Sequence, residues 1–239
     1  METIQVTERN DPHVMSPARG AALLRGAPWS RLVIVGDSVA RGVSESRPGY
    51  RTGPWSSLVI AALREVRPEL VHLNLGQREL VTAQVRETQL KSALDFGPDL
   101  VIALCGGNDG LRKTFDPQAV EGELEALFTP LRSAGTLVTA GFFDITGNPY
   151  FDARYRDVAR ERLAAVARGI RSVSQRLDAV YVDLDNHPTD RDESIWSTDG
   201  IHLNARGQAV LGTEIIRALG ARRQRLSRVE GRRDLQAGA

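Results

Sequence analysis

Five short apolar runs punctuate the chain, and longer stretches with apolar positions at helical spacing lie between them. The runs are RLVIVG (31–36), LVHLNL (70–75), DLVIALC (99–105), TLVTAGFF (136–143) and AVYVDL (179–184). Val, Ile and Leu dominate them with little alternation, as in strands covered on both faces. Residues 54–66, 116–135, 151–177 and 204–220 read as helices. Asp116 is placed to cap the second of these, with Pro117 at its first position and Gly135 at its end. Gly220 reads as the stop of the last. Strands that alternate with helices imply right-handed crossovers and a parallel sheet. The expected fold is α/β, a three-layer α/β/α sandwich around a flavodoxin-like five-stranded parallel sheet.

Residues 31–220 form this single domain. Residues 1–30 precede it as an N-terminal arm, and 221–239 form a polar, arginine-rich tail that reads as a solvated end. In a sheet of this kind the working site lies at the carboxyl ends of the strands. That rule directs attention to Gly36–Ser38, Gly76–Glu79, Gly106–Asp109, Phe143–Gly147 and the loop after Leu184.

Composition narrows the classes. A chain of 239 residues is long enough for one sizeable core. Its net charge of +1 supplies no basic field of the kind nucleic-acid binders use, so no nucleic-acid partner is expected. No apolar run approaches a membrane span. The first residues lack the basic-then-apolar order of a secretory signal, and the single cysteine excludes an internal disulfide, so a reducing cytoplasm is the expected location. Cys105 reads as a small buried hydrophobe. The histidines and the cysteine show no metal-ligand spacing, so neither metal nor organic cofactor is expected. Nothing in the sequence reads out an oligomeric state.

Ser38, in VIVGDSVARG, follows the first strand at a sharp turn. A serine hydroxyl needs a base, a group that orients the base, and donors for an oxyanion. His202 in STDGIHLNARG is the base candidate, and Asp199, three residues earlier, can hold its ring. His72 lies within a strand, His13 in the arm, and His187 reads as a rim residue of the late loop. Asn108 in CGGNDG offers an amide donor among glycines that admit a close approach of the backbone. Asp37 and Asp109 read as local turn organisers.

The ordered set of Gly36-Asp37-Ser38, Gly106-Gly107-Asn108-Asp109 and Asp199-Gly200-Ile201-His202 resembles the SGNH, or GDSL-type, hydrolase superfamily. The surrounding text looks like GDSL proteins common in actinobacteria. The resemblance spans about residues 31–220 and implies a serine esterase acting on a small-molecule acyl ester through a covalent acyl-enzyme. It makes Ser38 the nucleophile, His202 the general base and then acid, and Asp199 the orienting group. It implies an oxyanion hole from the Ser38 N–H, the Asn108 side chain and an N–H of the second block. That block departs from the family: the glycine usual five residues after Asn74 is here Glu79, while Gly76 lies only two residues after it. Gly76 and Glu79 are therefore both candidates for the donor. An acyltransferase using the same serine and a catalytically impaired binding scaffold are the alternatives.

Loops 47–55 and 142–155 are expected to flank the cleft, with Phe142, Phe143, Tyr150, Trp55 and Trp196 as candidate acyl-pocket walls. Arg47 and Arg51 read as solvated loop charges.

Overall fold

The computed structural model describes residues 6–237. Strands β1 (Arg31–Gly36), β2 (Val71–Asn74), β3 (Leu100–Leu104), β4 (Thr136–Ala140) and β5 (Val180–Val182) form one sheet in the order β2-β1-β3-β4-β5. Every neighbouring pair is parallel. This is the flavodoxin-like order, with the chain reversing its direction of travel between β1 and β3. Among the described residues eight α-helices accompany it: α1 (Pro17–Leu24), α2 (Ser38–Arg41), α3 (Trp55–Val66), α4 (Thr82–Asp95), α5 (Gly107–Leu111), α6 (Pro117–Ala134), α7 (Arg156–Arg176) and α8 (Ala205–Ala237).

The period-two alternation of a strand divides the core in two. Leu32 and Ile34 of β1 face one layer, where Trp29, Trp55, Leu63 and Ile216 pack from the arm, α3 and α8. Val33 and Val35 face the other, against Leu124 and Phe128 of α6 and Ile170 of α7. The segment before β1 belongs to the first layer: α1 packs on α3 and α8, and Leu24 is fully buried. Asp11 is tied to Arg206 of α8 by a 2.7 Å ion pair, with both side chains almost wholly out of solvent.

Several local expectations change. β2 lies at the sheet edge and is largely exposed, so the run 70–75 is not covered on both faces; Val71 and His72 face solvent. Helix α4 carries no apolar stripe to announce it, because its buried positions include Thr82 and Gln89 beside Val85 and Ala93. Gly220 does not end α8. A Cβ there would lie 3.3 Å from Leu23 of α1, so the glycine serves close helix packing and the helix runs on to Ala237. Residues 221–237 are therefore helical, and Arg222 pairs with Asp178.

Gly36 ends β1 at φ +138°, where a Cβ would sit 1.9 Å from the carbonyl oxygen of Leu104 in β3. Its N–H donates to Gln89 Oε1, and Gln89 Nε2 donates back to its carbonyl. Gly36→Ala is expected to prevent folding or to lower stability by about 3 kcal/mol or more in urea unfolding. Gly122→Ala is the control: it lies inside α6 with open space around its Cβ position and should stabilise slightly.

Candidate active site

Ser38 is the first residue of α2 and is buried, with 8% of its surface exposed. Asp37 caps the short helix by accepting the N–H of Val39. From beneath, Asn74 Nδ2 donates to the carbonyl of Ala40, and Gly76 comes so close that a Cβ would lie 2.4 Å from the Arg41 nitrogen. The serine thus stands on a turn held from the ends of β1 and β2.

His202 sits on the loop between β5 and α8. A bridge between Trp196 and Leu203 closes that loop, and Asn204 Nδ2 donates to the carbonyls of Ser194 and Trp196. Glu45, from the loop after α2, accepts both the N–H and the hydroxyl of Thr198. The result is a continuous chain of hydrogen bonds. His202 Nε2 lies 2.9 Å from Ser38 Oγ, and His202 Nδ1 lies 2.6 Å from Asp199 Oδ2. Asp199 Oδ1 also accepts the N–H groups of Ile201 and His202. Burial alone would raise the Asp199 carboxyl, but these hydrogen bonds from His202 and Ile201 hold it below its ordinary value. A carboxylate at Nδ1 favours the tautomer that leaves Nε2 free to accept the serine proton.

On the other side of Ser38, Asn108 of α5 faces the same cleft and spends one of its two amide hydrogens on the carbonyl of Leu80. The second-block candidates separate. The Gly76 N–H is taken up by Asn74 Oδ1 at 2.9 Å, so Gly76 supports the turn and is not a free donor. Glu79 adopts φ +68°, the left-handed conformation natural to glycine, and its side chain is exposed. The block thus keeps a glycine-like backbone at Glu79 without the glycine.

Next to the serine, Asp37 is buried and Asp109 half-buried, close enough for their charges to repel. Burial pushes the Asp37 carboxyl up to about 7, the N–H of Val39 opposes this, and repulsion from Asp109 adds to it. Burial also raises Asp109, against hydrogen bonds from the N–H and hydroxyl of Thr82. Burial pushes the Cys105 thiol well above its ordinary value, in keeping with an inert core residue. Gly106, at φ +107°, lets the chain turn from β3 into α5 beneath Val166.

The cleft beside Ser38 has a volume of about 100 Å³. Phe142, Phe143 and Trp196 line it as expected. Trp55 does not: it is buried in the core and donates its indole N–H to the carbonyl of Val39. Tyr150 is 60% exposed and away from the lining. Arg51 pairs with Glu8. His187 is buried rather than at the rim, between Thr189, Glu214 and the ring of Phe143. Glu45 and Gln89 are the site-supporting residues that motif reading missed; each acts across a sequence separation too large for local pattern to reveal. Among the described residues no helix is long and apolar enough to cross a membrane, and no cluster of three or more His, Cys, Asp or Glu is placed to hold a metal.

The model of the GDSL-like Lipase/Acylhydrolase family matches residues 34–210. Among solved structures, LAE5, an alpha/beta hydrolase enzyme from the metagenome of Lake Arreo, is 21% identical with a TM-score of 0.62 over 82% of this chain and 96% of its own. Axe2, an acetylxylan esterase from Geobacillus stearothermophilus, is 19% identical with a TM-score of 0.65 over 82% and 95%. A lipase/acylhydrolase from Enterococcus faecalis is 20% identical with a TM-score of 0.62 over 80% and 96%. At these identities the likeness is one of fold. No curated protein matches the chain.

Two expectations follow from the site's strained and buried groups. Asp37 binds its proton more tightly folded than unfolded, so between about pH 4 and about 7 the native state holds the extra proton. Stability contributed by the protonated group is lost as pH rises through that window. Asp37→Asn should therefore gain stability over wild type as pH rises from about 4 to about 7.5, by on the order of 4 kcal/mol, read from urea midpoints across pH. Glu79→Gly relieves a left-handed non-glycine at the cost of unfolded-chain entropy. It should raise the melting temperature by about 2–4 °C, corresponding to roughly 1 kcal/mol.

Proposed function

The chain belongs to the GDSL-like lipase/acylhydrolase family and is an ester-bond hydrolase, and we propose that Ser38 is the nucleophile through which it works. The observation that carries this reading is the unbroken run from Ser38 Oγ through both nitrogens of His202 to Asp199. His202 Nε2 takes the Ser38 proton as Oγ attacks the ester carbonyl. The carbonyl π electrons move to oxygen, and the resulting oxyanion is held by the Ser38 N–H, the spare Asn108 amide hydrogen and the Glu79 N–H. Collapse expels the alcohol, which takes the proton from His202. Water, deprotonated by the same nitrogen, then attacks the acyl-serine, and the acid leaves as Ser38 recovers its proton. Asp199 holds the ring and balances the imidazolium.

Two further observations support the assignment. Crystal structures of Axe2 described as catalytic mutants replace an aspartate and a histidine three positions apart, the spacing of Asp199 and His202. The left-handed backbone of Glu79 keeps the second block in a glycine-like shape, which favours a working oxyanion site over an impaired scaffold. The substrate class is a small-molecule acyl ester. The near-neutral charge is the reason for assigning no nucleic-acid partner, and the lone buried Cys105 is the reason for assigning a reducing, cytoplasmic location.

Ser38→Ala should lower kcat/KM on p-nitrophenyl butyrate by about 10³-fold or more and abolish labelling by a fluorophosphonate. Asp199→Asn should cost on the order of 10²–10⁴ in kcat with urea stability little changed. Undiminished turnover in Ser38→Ala would refute the assignment.

A further inference from the structure

We infer that Glu45 is a positioning residue for the reaction: its carboxylate fixes the tilt of the turn that carries Asp199 and His202, and so the meeting of His202 with Ser38. The inference rests on Ser38 as nucleophile. It begins with how that turn is closed. The Ser197 N–H donates to the carbonyl of His202 at 2.8 Å, and the Gly200 N–H to the carbonyl of Ser197 at 3.3 Å. Asp199 Oδ1 accepts the N–H groups of Ile201 and His202, and Asp199 Oδ2 meets His202 Nδ1. All of these bonds lie within residues 197–202, so the turn keeps its shape wherever it sits. The contact that the chemistry needs is different. His202 Nε2 and Ser38 Oγ are 164 positions apart in the chain, and their 2.9 Å separation depends on where the turn is held.

Glu45 ties the turn through both its backbone and its side chain. The Ala205 N–H donates to the Glu45 carbonyl at 2.8 Å, and the Glu45 N–H donates to Ser197 Oγ at 3.3 Å. A body tied at two points can still rotate about the line between them; a third tie stops it. The carboxylate supplies the third. Glu45 Oε2 accepts the Thr198 N–H at 2.7 Å and the Thr198 hydroxyl at 3.0 Å, directly before Asp199. Asn148 Nδ2 donates to the Ser197 carbonyl at 3.4 Å, and Asn204 binds the carbonyls of Ser194 and Trp196, so both act at the root of the turn.

The third tie is referred to the nucleophile itself. Glu45 lies seven residues after Ser38. The N–H groups of Gly42 and Val43 both donate to the Ser38 carbonyl at 3.0 Å, and the Val43 carbonyl accepts Gln208 Nε2 of α8. Residues 42–45 thus form a strap from the nucleophile turn to the base loop. Ion pairing does not account for the carboxylate: among the described residues Glu45 makes no ion pair, and both hydrogen bonds of its side chain go to Thr198. Small errors of placement matter at this distance, since a shift of about 1 Å can cost on the order of 10²-fold in rate.

Substitutions at this exposed position separate reach from charge. Glu45→Ala keeps both backbone ties and removes the third. Glu45→Gln keeps an acceptor oxygen at the same reach without the charge. On p-nitrophenyl butyrate, Glu45→Ala should lose about tenfold or more in kcat, with KM within about threefold because His202 serves both half-reactions. Fluorophosphonate labelling of Ser38 should slow by a similar factor. Glu45→Gln should restore kcat to within about threefold of wild type, and the urea midpoint should change little in either. Should Glu45→Ala fail to fold, Glu45→Asp, which draws the carboxylate back by about 1.5 Å, takes its place in the same comparison. A kcat within about threefold of wild type in the shortened variant would overturn the inference. So would a Gln variant that falls as far as the shortened one, or a loss no larger than the fraction of enzyme unfolded. If Ser38→Ala is inactive in any of these cases, the serine assignment stands; undiminished turnover in Ser38→Ala would overturn both.

Discussion

Among the described glycines, a side chain is excluded most severely at Gly36, where a Cβ would lie 1.9 Å from the carbonyl oxygen of Leu104. Where β1 ends, its backbone lies so near the Leu104 carbonyl of β3 that no side chain fits between them. Parallel strands in the middle of a sheet are held at fixed spacing by their hydrogen bonds. The chain can leave β1 sharply at this seam only if the residue has no Cβ and tolerates positive φ. That turn brings Ser38 onto the carboxyl edge of the sheet, beside the cleft between the two halves of the strand order. Gln89, from a helix on the far layer, pins both the N–H and the carbonyl of the same glycine. The position of Ser38 is therefore a property of the sheet rather than of a loop.

The histidine side is built differently. His202 lies on an irregular segment that no strand fixes, and its order comes from side-chain ties made to distant parts of the chain. Glu45 holds Thr198, Asn204 closes the loop onto Ser194 and Trp196, and Arg206 reaches Asp192, Ser194 and Asp11. The buried Arg206–Asp11 pair links the N-terminal segment to the segment that carries the histidine. Such a pair contributes little net stability, but breaking it leaves a charge without a partner in the interior. Its value here is positional: it fixes the root of α8, and with it the distance across which His202 meets Ser38.

Much of this was legible in the sequence wherever one kind of residue repeats for one reason. β1 was read to the residue because both its faces are covered and its end is a glycine. The five-stranded parallel sheet follows from strand–helix alternation, and short motifs mark Ser38 and Asn108 just after strand ends and Asp199 and His202 just before the last helix. The rest failed for physical causes. Helix α4 buries Thr82 and Gln89, so it has no apolar stripe. Gly220 looked like a stop because the sequence cannot distinguish a glycine that ends a helix from one that lets two helices touch. Gly76 and Glu79 could be separated only by knowing whose N–H was already bonded and which residue held positive φ. Glu45, Gln89 and Arg206 find their partners 153, 53 and 195 positions away, beyond any local pattern.

The central claim is that Ser38 carries the acyl group between two half-reactions. The measurement that tests it most directly is acid-quenched mass spectrometry of the enzyme during turnover of p-nitrophenyl hexanoate, with peptide mapping of any adduct. The account predicts a hexanoyl mass on the peptide containing Ser38, appearing within the first turnover and lost as substrate is exhausted. Turnover with the adduct on another residue, or with no adduct at any quench time under a burst of nitrophenol, would contradict it.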